Sequence, residues 1–378
     1  MTGAGAPAET TDQVGERRSR PRDLIARGVL TLALVGLVVW LLLSNVGELS
    51  AVVDALGNVS LADAILLVAL TLLSQVLIGA QLAATVPGLG LGRAMVAVES
   101  ASAASNVIPG PSGTATRLAV LRSWGFYTED FARSWLFTSS LTNFTVLAMP
   151  AVAVVLVAVD NDVPSGVFAL AAVALVVCVV AVWVVVRIVR SESFARRAGV
   201  LAGRAARWGA AVARRRPTDR DFEEAAVGFR NDLRTSWKTL GTKVMFAVLG
   251  TYVTTGVIFA LSLRATGLGR DALGIGAIAV VYTVVRLLTI VNFTPGGIGV
   301  TEALYTSALL VATDGAYESQ IVAGVFLFRG LTYAGPILLG TAALLVWRFR
   351  RSWRVHPPAE PAGAAAVGAV IADREPPE

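Results

Sequence analysis

One pattern, N-x-x-P-G-x-x-G, occurs twice in the chain: as Asn-Val-Ile-Pro-Gly-Pro-Ser-Gly at residues 106–113 and as Asn-Phe-Thr-Pro-Gly-Gly-Ile-Gly at residues 292–299. We name these copies the first break and the second break. Their four fixed positions are offset by 186 residues without a gap. Each copy interrupts an apolar helical stretch, because proline and glycine do not favour continuation of a helix. The alternative is coincidence, since both residue types are common in membrane loops. We interpret the two copies as corresponding breaks of an internal repeat.

The composition predicts a membrane protein. Of the 378 residues, 55% are hydrophobic and 15% are charged, whereas soluble globular proteins carry roughly 25% charged residues. A soluble chain of this composition would expose large apolar patches. The single cysteine excludes a disulfide scaffold, and the only histidine, His356, lies near the C-terminus. We therefore expect no metal site, no cofactor and no enzymatic activity; an intramembrane enzyme is the least favoured alternative.

Six apolar runs have the length that a membrane span requires. They cover residues 28–44, 65–86, 134–159, 167–189, 244–263 and 319–347, and a kink is expected at Gly335-Pro336 of the last run. The segments 93–124 and 274–313, which contain the breaks, fit poorly as single spans. The spans before and after each of these segments end and begin on the same side of the membrane. Each segment must therefore enter and leave the membrane on that side, as a hairpin.

The resulting fold class is an all-α polytopic membrane protein. It has about six full transmembrane helices plus two broken-helix hairpins, arranged as an inverted repeat. Repeat 1 covers about residues 25–160 and repeat 2 about residues 165–350, within a single transmembrane domain of residues 25–353. Each half makes three net crossings of the membrane. Because this number is odd, the second half begins on the opposite side from the first and is inverted relative to it.

The charge distribution predicts the orientation. Five arginines precede residue 28, thirteen Lys and Arg residues lie from position 190 to position 243, and four lie between positions 348 and 354, directly after the last apolar run. Excess Lys and Arg mark cytoplasmic loops, so both termini and the basic loop 190–243 are expected in the cytoplasm. Nucleic-acid binding is the rival explanation of the arginine runs, and we do not expect it. The polar ends, residues 1–24 and 354–378, are predicted to be disordered.

Five charged residues lie near the breaks or inside a span: Glu99, Arg117, Arg286, Glu302 and Arg329. Ionisable groups inside a membrane are costly and usually mark a pathway. We expect the three arginines to line a cavity and neutralise a lipid phosphate, with Glu99 and Glu302 as counter-charges or a proton-coupling site. The alternative is structural ion pairs that hold the hairpins, and Glu302 also suits a helix N-terminal cap.

The breaks themselves are predicted to frame the phosphate site, because helix N-termini bind anions. The two asparagines are expected to cap the incoming helices, and Thr114 or Thr116 and Thr301 are expected to cap the outgoing ones. The break residues assigned to lipid phosphate binding are Asn106, Asn292, Gly110, Gly113, Gly296 and Gly299.

The second break and its surroundings resemble a known family. The sequence from Asn292 to Glu302 resembles the P-G-G-x-G-x-x-E signature of the lysylphosphatidylglycerol synthase transmembrane region, the flippase-like integral membrane family. The first break together with Arg117, and Arg329 followed by Pro336, resemble two further blocks of that family. The resemblance covers about residues 25–350. It implies a bacterial or archaeal membrane protein that handles anionic or polyprenyl-linked lipids.

One departure from the family bears on activity. Members that aminoacylate phosphatidylglycerol carry a large soluble C-terminal domain, whereas only a short tail follows Trp353. We therefore expect a flippase or transporter of anionic or polyprenyl-linked lipids in the cell inner (plasma) membrane, with membrane lipids as its partners. The alternative is a non-catalytic membrane partner or scaffold for a separate cell-envelope lipid or glycan enzyme.

Overall fold

The computed structural model describes residues 49–108, 111–159, 191–212, 222–289, 297–353 and 355, with scattered positions between 172 and 190. All of these parts are helices and their connections, without a strand among them. The predicted span 28–44 and both predicted disordered ends, except Val355, lie outside the described residues. So does about half of the predicted span 167–189.

The helices are numbered here in chain order. The first repeat region contains α1 (Leu49–Gly57), α2 (Leu61–Thr85), α3 (Leu91–Val107), α4 (Ser112–Arg122) and α5 (Thr128–Val159). It is followed by α6 (Glu192–Val212), α7 (Phe222–Ala265), α8 (Ile275–Leu288), α9 (Val300–Ala312) and α10 (Glu318–Arg329). A π-helical turn (Gly330–Ala334) joins α10 to α11 (Gly335–Phe349).

Four helical segments are long and apolar enough to cross a membrane. They are Leu61–Thr85, Thr128–Ala153, Leu240–Ala265 and Glu318–Phe349. Each coincides with one of the six spans that the sequence predicts. Of the two remaining predicted spans, 28–44 lies outside the described residues and 167–189 is described only in part. The chain is therefore a helical membrane protein, of which four spans are visible.

The helices on either side of the breaks are short. Helices α8 and α9 have 14 and 13 residues, which gives each a length of about 20 Å at 1.5 Å per residue. Both are too short for the hydrocarbon core of about 30 Å. Helices α3 and α4 have 17 and 11 residues and pack against each other. Each break thus separates two helices that do not span the membrane separately.

Small residues permit the close approach of backbones around the first break. A Cβ atom on Gly113 would lie 2.8 Å from the carbonyl oxygen of Ala101 and 2.8 Å from Cβ of Ser105. One on Gly340, in α11, would lie 2.6 Å from Cβ of Ala103 and closer still to the carbonyl oxygen of Glu99. Such contacts are typical of helix packing in membranes. Helix α3 is therefore held between α4 and α11.

The expected helix caps at the breaks are wrong. Thr114 and Thr116 lie inside α4, and Thr301 lies inside α9, because these helices restart earlier than expected, after Pro111 and Gly299. The hydroxyl of Ser112 instead donates to the carbonyl oxygens of Ala104 and Ile108, tying the start of α4 to the end of α3.

The last span contains a π-helical turn immediately before the predicted kink. Pro336 lacks an N–H group, and its ring crowds the carbonyl group four residues earlier. The chain accommodates this with the wider turn Gly330–Ala334, a feature frequent at functional sites.

Helix α7 is longer than the predicted span 244–263. Its 44 residues give a length of about 66 Å, so that the part before Leu240 continues beyond the apolar segment. That part packs along α6. Much of the predicted basic loop 190–243 is therefore a pair of helices.

Candidate functional site

A largely buried ion pair joins the second break to the last span. Glu302 lies in the first turn of α9, where Oε2 accepts a hydrogen bond of 2.7 Å from the N–H group of Gly299. Its other oxygen, Oε1, accepts a hydrogen bond of 2.6 Å from Nε of Arg329. The two side chains are only 9% and 14% exposed. Both structural roles considered for Glu302, the helix cap and the ion pair, are thus present.

Tyr333 connects this ion pair to the first break. The guanidinium carbon of Arg329 lies 4.8 Å from the centre of the Tyr333 ring. The Tyr333 hydroxyl donates to the carbonyl oxygen of Asn106 at 2.7 Å, and the Asn106 amide donates to the carbonyl oxygen of Tyr333 at 3.5 Å. We name the chain of contacts from Asn106 through Tyr333, Arg329 and Glu302 to Gly299 the break-to-break bridge.

The expected C-terminal cap by Asn106 is therefore wrong. The side chain of Asn106 reaches across to the π-helical turn, because α3 continues one residue further, to Val107, and places the amide beside Tyr333. Tyr333 was not among the predicted residues. Its position four residues after Arg329 could have indicated that the two side chains are neighbours, since residues at this spacing share one helix face.

Removal of the Tyr333 hydroxyl tests this contact. Tyr333→Phe leaves the carbonyl group of Asn106 without its donor at the end of a helix, where carbonyl groups lack intrahelical partners. We expect the free energy of unfolding in detergent to fall by about 1 kcal/mol. The matched control is Tyr127→Phe, at a ring that is exposed; an equal loss in both variants would contradict the contact.

Arg286 lies near the bridge. Its guanidinium carbon is 5.4 Å from the centre of the Tyr252 ring, and its buried Nε atom has no hydrogen-bond partner within the part of the chain that the structure describes. Arg286, Arg329 and Glu302 all act electrostatically on the buried Tyr305. The second break therefore has two arginines around one tyrosine, and one of them has an unused donor.

Arg117 and Glu99 lie apart from that group. Among the described residues Arg117 forms no hydrogen bond or ion pair, and its Nε atom is buried. Glu99 is 5% exposed and accepts one hydrogen bond, from Gln75. No side-chain hydrogen bond or ion pair in the described ranges connects either residue to the bridge.

The glycines of the breaks are only partly described. Gly113 lies at the α3–α4 contact, and Gly299 precedes α9 with φ of 81°, a conformation that favours glycine. Asn292, Gly110 and Gly296 lie outside the described residues. Their predicted phosphate binding stays a prediction.

Two cavities occur elsewhere in the fold. The larger, of about 230 Å³, is apolar and lies between α5 and α7, where Phe144 and Met245 contribute to its wall. The smaller, of about 130 Å³, is lined in part by Asp130 and Arg133. Neither includes a predicted site residue, so that the cavity expected between the breaks stays a prediction. Over the same described ranges, no three His, Cys, Asp or Glu side chains cluster as metal ligands would.

The apolar helices and the two helical breaks define the class: this is a helical integral membrane protein with charged residues buried around interrupted helices. A family model described as the lysylphosphatidylglycerol synthase TM region matches residues 28–340. The chain belongs to this family, as the sequence of the breaks predicts. No curated protein matches the chain in a sequence comparison.

Proposed function

We propose that this protein moves anionic or polyprenyl-linked lipids across the cytoplasmic membrane, and that the lipid phosphate binds between the two breaks. The observation that carries the proposal is the break-to-break bridge. It connects both interrupted helices through one largely buried arginine, Arg329. Membership of a family related to lipid handling supports the same conclusion.

The bridge suggests how an arriving phosphate would act. A guanidinium group binds phosphate through two parallel hydrogen bonds, so a lipid phosphate competes with Glu302 for Arg329. A buried ion pair opens at low cost only when a new partner replaces the old one. Opening it would free Glu302, whose other oxygen caps α9, and would move Arg329 away from the ring of Tyr333, whose hydroxyl binds the first break. Lipid binding and helix movement would then be coupled.

Arg286 and Arg117 complete the proposed site. The unused Nε–H group of Arg286 supplies a second donor near Tyr305. The N-terminal ends of α4 and α9 follow the breaks and attract anions through their unpaired N–H groups. Arg117 lies in α4, five residues after Ser112, the first residue of that helix.

An inverted repeat underlies the proposed architecture. In each half, a long apolar helix is followed by two short helices around a break and by a second long helix. The last connection of each half also matches: Gly125 and Gly315 have φ of 87° and 78°, and each precedes a tyrosine by two residues, Tyr127 and Tyr317. The charge distribution supports cytoplasmic termini, because excess Lys and Arg mark cytoplasmic loops. We propose the inner membrane as the location. We further propose that the protein is not an enzyme and uses no cofactor.

A liposome assay tests the proposed site. The purified chain is reconstituted, and the movement of a fluorescent anionic lipid between leaflets is followed with a membrane-impermeant quencher. We expect the triple variant Arg117→Ala, Arg286→Ala, Arg329→Ala to lower the initial rate at least tenfold. The matched control is Arg133→Ala, which removes an exposed cation paired with Glu129. Wild-type transport by the triple variant would refute the assignment of the site.

The helix pair α6–α7 favours a second candidate, a scaffold for a separate cell-envelope enzyme. The pair extends beyond the apolar segment and exposes Arg197, Arg204 and Arg207, a surface on which a soluble partner can dock. The same assay separates the two functions. A scaffold predicts no lipid movement by the purified chain in liposomes, whereas a flippase predicts movement without any partner.

A further inference from the structure

Glu99 is a buried carboxyl group with little to stabilise a negative charge. It is 5% exposed, and within the described part of the chain its side chain forms one hydrogen bond, of 3.2 Å, which Oε2 accepts from the Gln75 amide. Its other oxygen, Oε1, is buried and has no partner among the described residues. A carboxylate offers about four acceptor positions, and an unpaired charge inside a protein is costly. The environment therefore favours the neutral form.

Among the described residues, no cation pairs with Glu99 to offset that cost. Within the described part of the chain, α3 packs mainly against α2, α4 and α11. The charged residues of these three helices and of α3 itself are Asp63, Arg93, Arg117, Arg122 and Arg348. None of them forms an ion pair or hydrogen bond with Glu99 in the structure. A counter-charge role for Glu99 accordingly has no partner within the described residues.

The packing of α11 on α3 connects Glu99 to the bridge. Gly340 lies directly against the carbonyl oxygen of Glu99, and seven residues later α3 reaches Asn106, whose carbonyl oxygen binds Tyr333. The last span therefore contacts α3 at both positions. A charge that appears at Glu99 would act on the helix contact that also carries the break-to-break bridge.

We propose that Glu99 is a proton-binding site that is loaded in this conformation and releases its proton when α3 and α11 separate. On loading, a proton from water forms an O–H bond at the carboxyl group; on release, the proton returns to water and leaves the carboxylate. A role for this proton in lipid transport rests on the proposed function, whereas proton binding by Glu99 does not.

Infrared spectroscopy of the full chain in liposomes tests the proton directly. We expect wild type to show the carbonyl band of a protonated carboxyl group at neutral pH, and Glu99→Gln to lose an amplitude equivalent to one carboxyl group per chain. The matched control is Glu129→Gln, at an exposed carboxyl group, which leaves the band unchanged. Equal bands in wild type and Glu99→Gln would overturn the proposal. So would a wild-type band that disappears when sodium replaces potassium at constant pH, because Glu99 would then bind sodium.

A second variant keeps the test decisive if Glu99→Gln does not fold. Gln75→Leu removes the single hydrogen bond and leaves the carboxyl group in place. We expect the band to persist and to shift to higher frequency, because its carbonyl group loses a donor. Absence of the band at neutral pH in both wild type and Gln75→Leu would overturn the proposal. Since the infrared signal requires no lipid movement, it succeeds or fails independently of the transport assay.

Discussion

Glu302→Ala is expected to destabilise the protein by about 3–5 kcal/mol, the usual cost of leaving one partner of a buried ion pair uncompensated. The variant also removes the acceptor for the N–H group of Gly299 at the start of α9. Arg329→Ala should show a loss of similar size, because it leaves the Glu302 carboxylate without its cation. Chemical unfolding in mixed micelles measures both.

The double variant separates the ion pair from its surroundings. If the two side chains act through each other, Glu302→Ala with Arg329→Ala should cost clearly less than the sum of the single variants. The control is the exposed pair of Glu129 and Arg133, for which each single variant should change the unfolding free energy by at most about 0.5 kcal/mol. Additive losses at Glu302 and Arg329 would contradict a functional ion pair.

Gly340→Ala is the second substitution with a large expected effect. The new methyl group would overlap the carbonyl oxygen of Glu99 and lie 2.6 Å from Cβ of Ala103. Because the overlapped atom belongs to the backbone of α3, no side-chain rotation relieves it, and α11 must move away. Overpacking of this kind costs about 1–3 kcal/mol, occasionally more, and we expect the upper end of that range.

Displacement of α11 should also weaken the contact between Tyr333 and Asn106, so transport should fall together with stability. Gly92→Ala is the matched control on α3, because a Cβ atom there meets nothing within 4 Å. Alanine favours helix over glycine, so the control should be neutral or slightly stabilising. Equal unfolding free energies for wild type and Gly340→Ala would contradict the close packing of α3 and α11.

The four described spans could be predicted from the sequence because hydropathy largely decides which segments enter a bilayer. The predicted runs 65–86, 134–159, 244–263 and 319–347 each fall within or close to an apolar helix. The breaks were predictable because proline and glycine act locally. The extension of α7 before Leu240 was missed because it is a polar helix whose stability comes from packing on α6, which hydropathy does not report.

The contacts of the candidate site were harder to predict. Glu302 and Arg329 were selected as charged residues in an apolar setting, but their pairing depends on how α9 meets α10. The role of Tyr333 depends on Asn106, 227 residues away, and neither residue signals the other locally. The separation of Arg117 and Glu99 from the bridge is likewise a consequence of helix packing. The sequence identified the charged residues because they lie in apolar segments. The fold shows which of these side chains are in contact.

The central claim is that the break-to-break bridge opens during lipid movement. Its most direct test is the transport rate with the bridge locked: Cys178 is replaced by serine, cysteines are placed at Asn106 and Tyr333, and a short bifunctional thiol reagent with a reducible linker joins them. Because the two substitutions remove the contacts of Asn106 and Tyr333, the reference is the double-cysteine protein before joining. We predict that joining stops its movement of the fluorescent anionic lipid and that reduction of the linker returns the rate to this reference value. An unchanged transport rate in the fully joined protein would contradict the account.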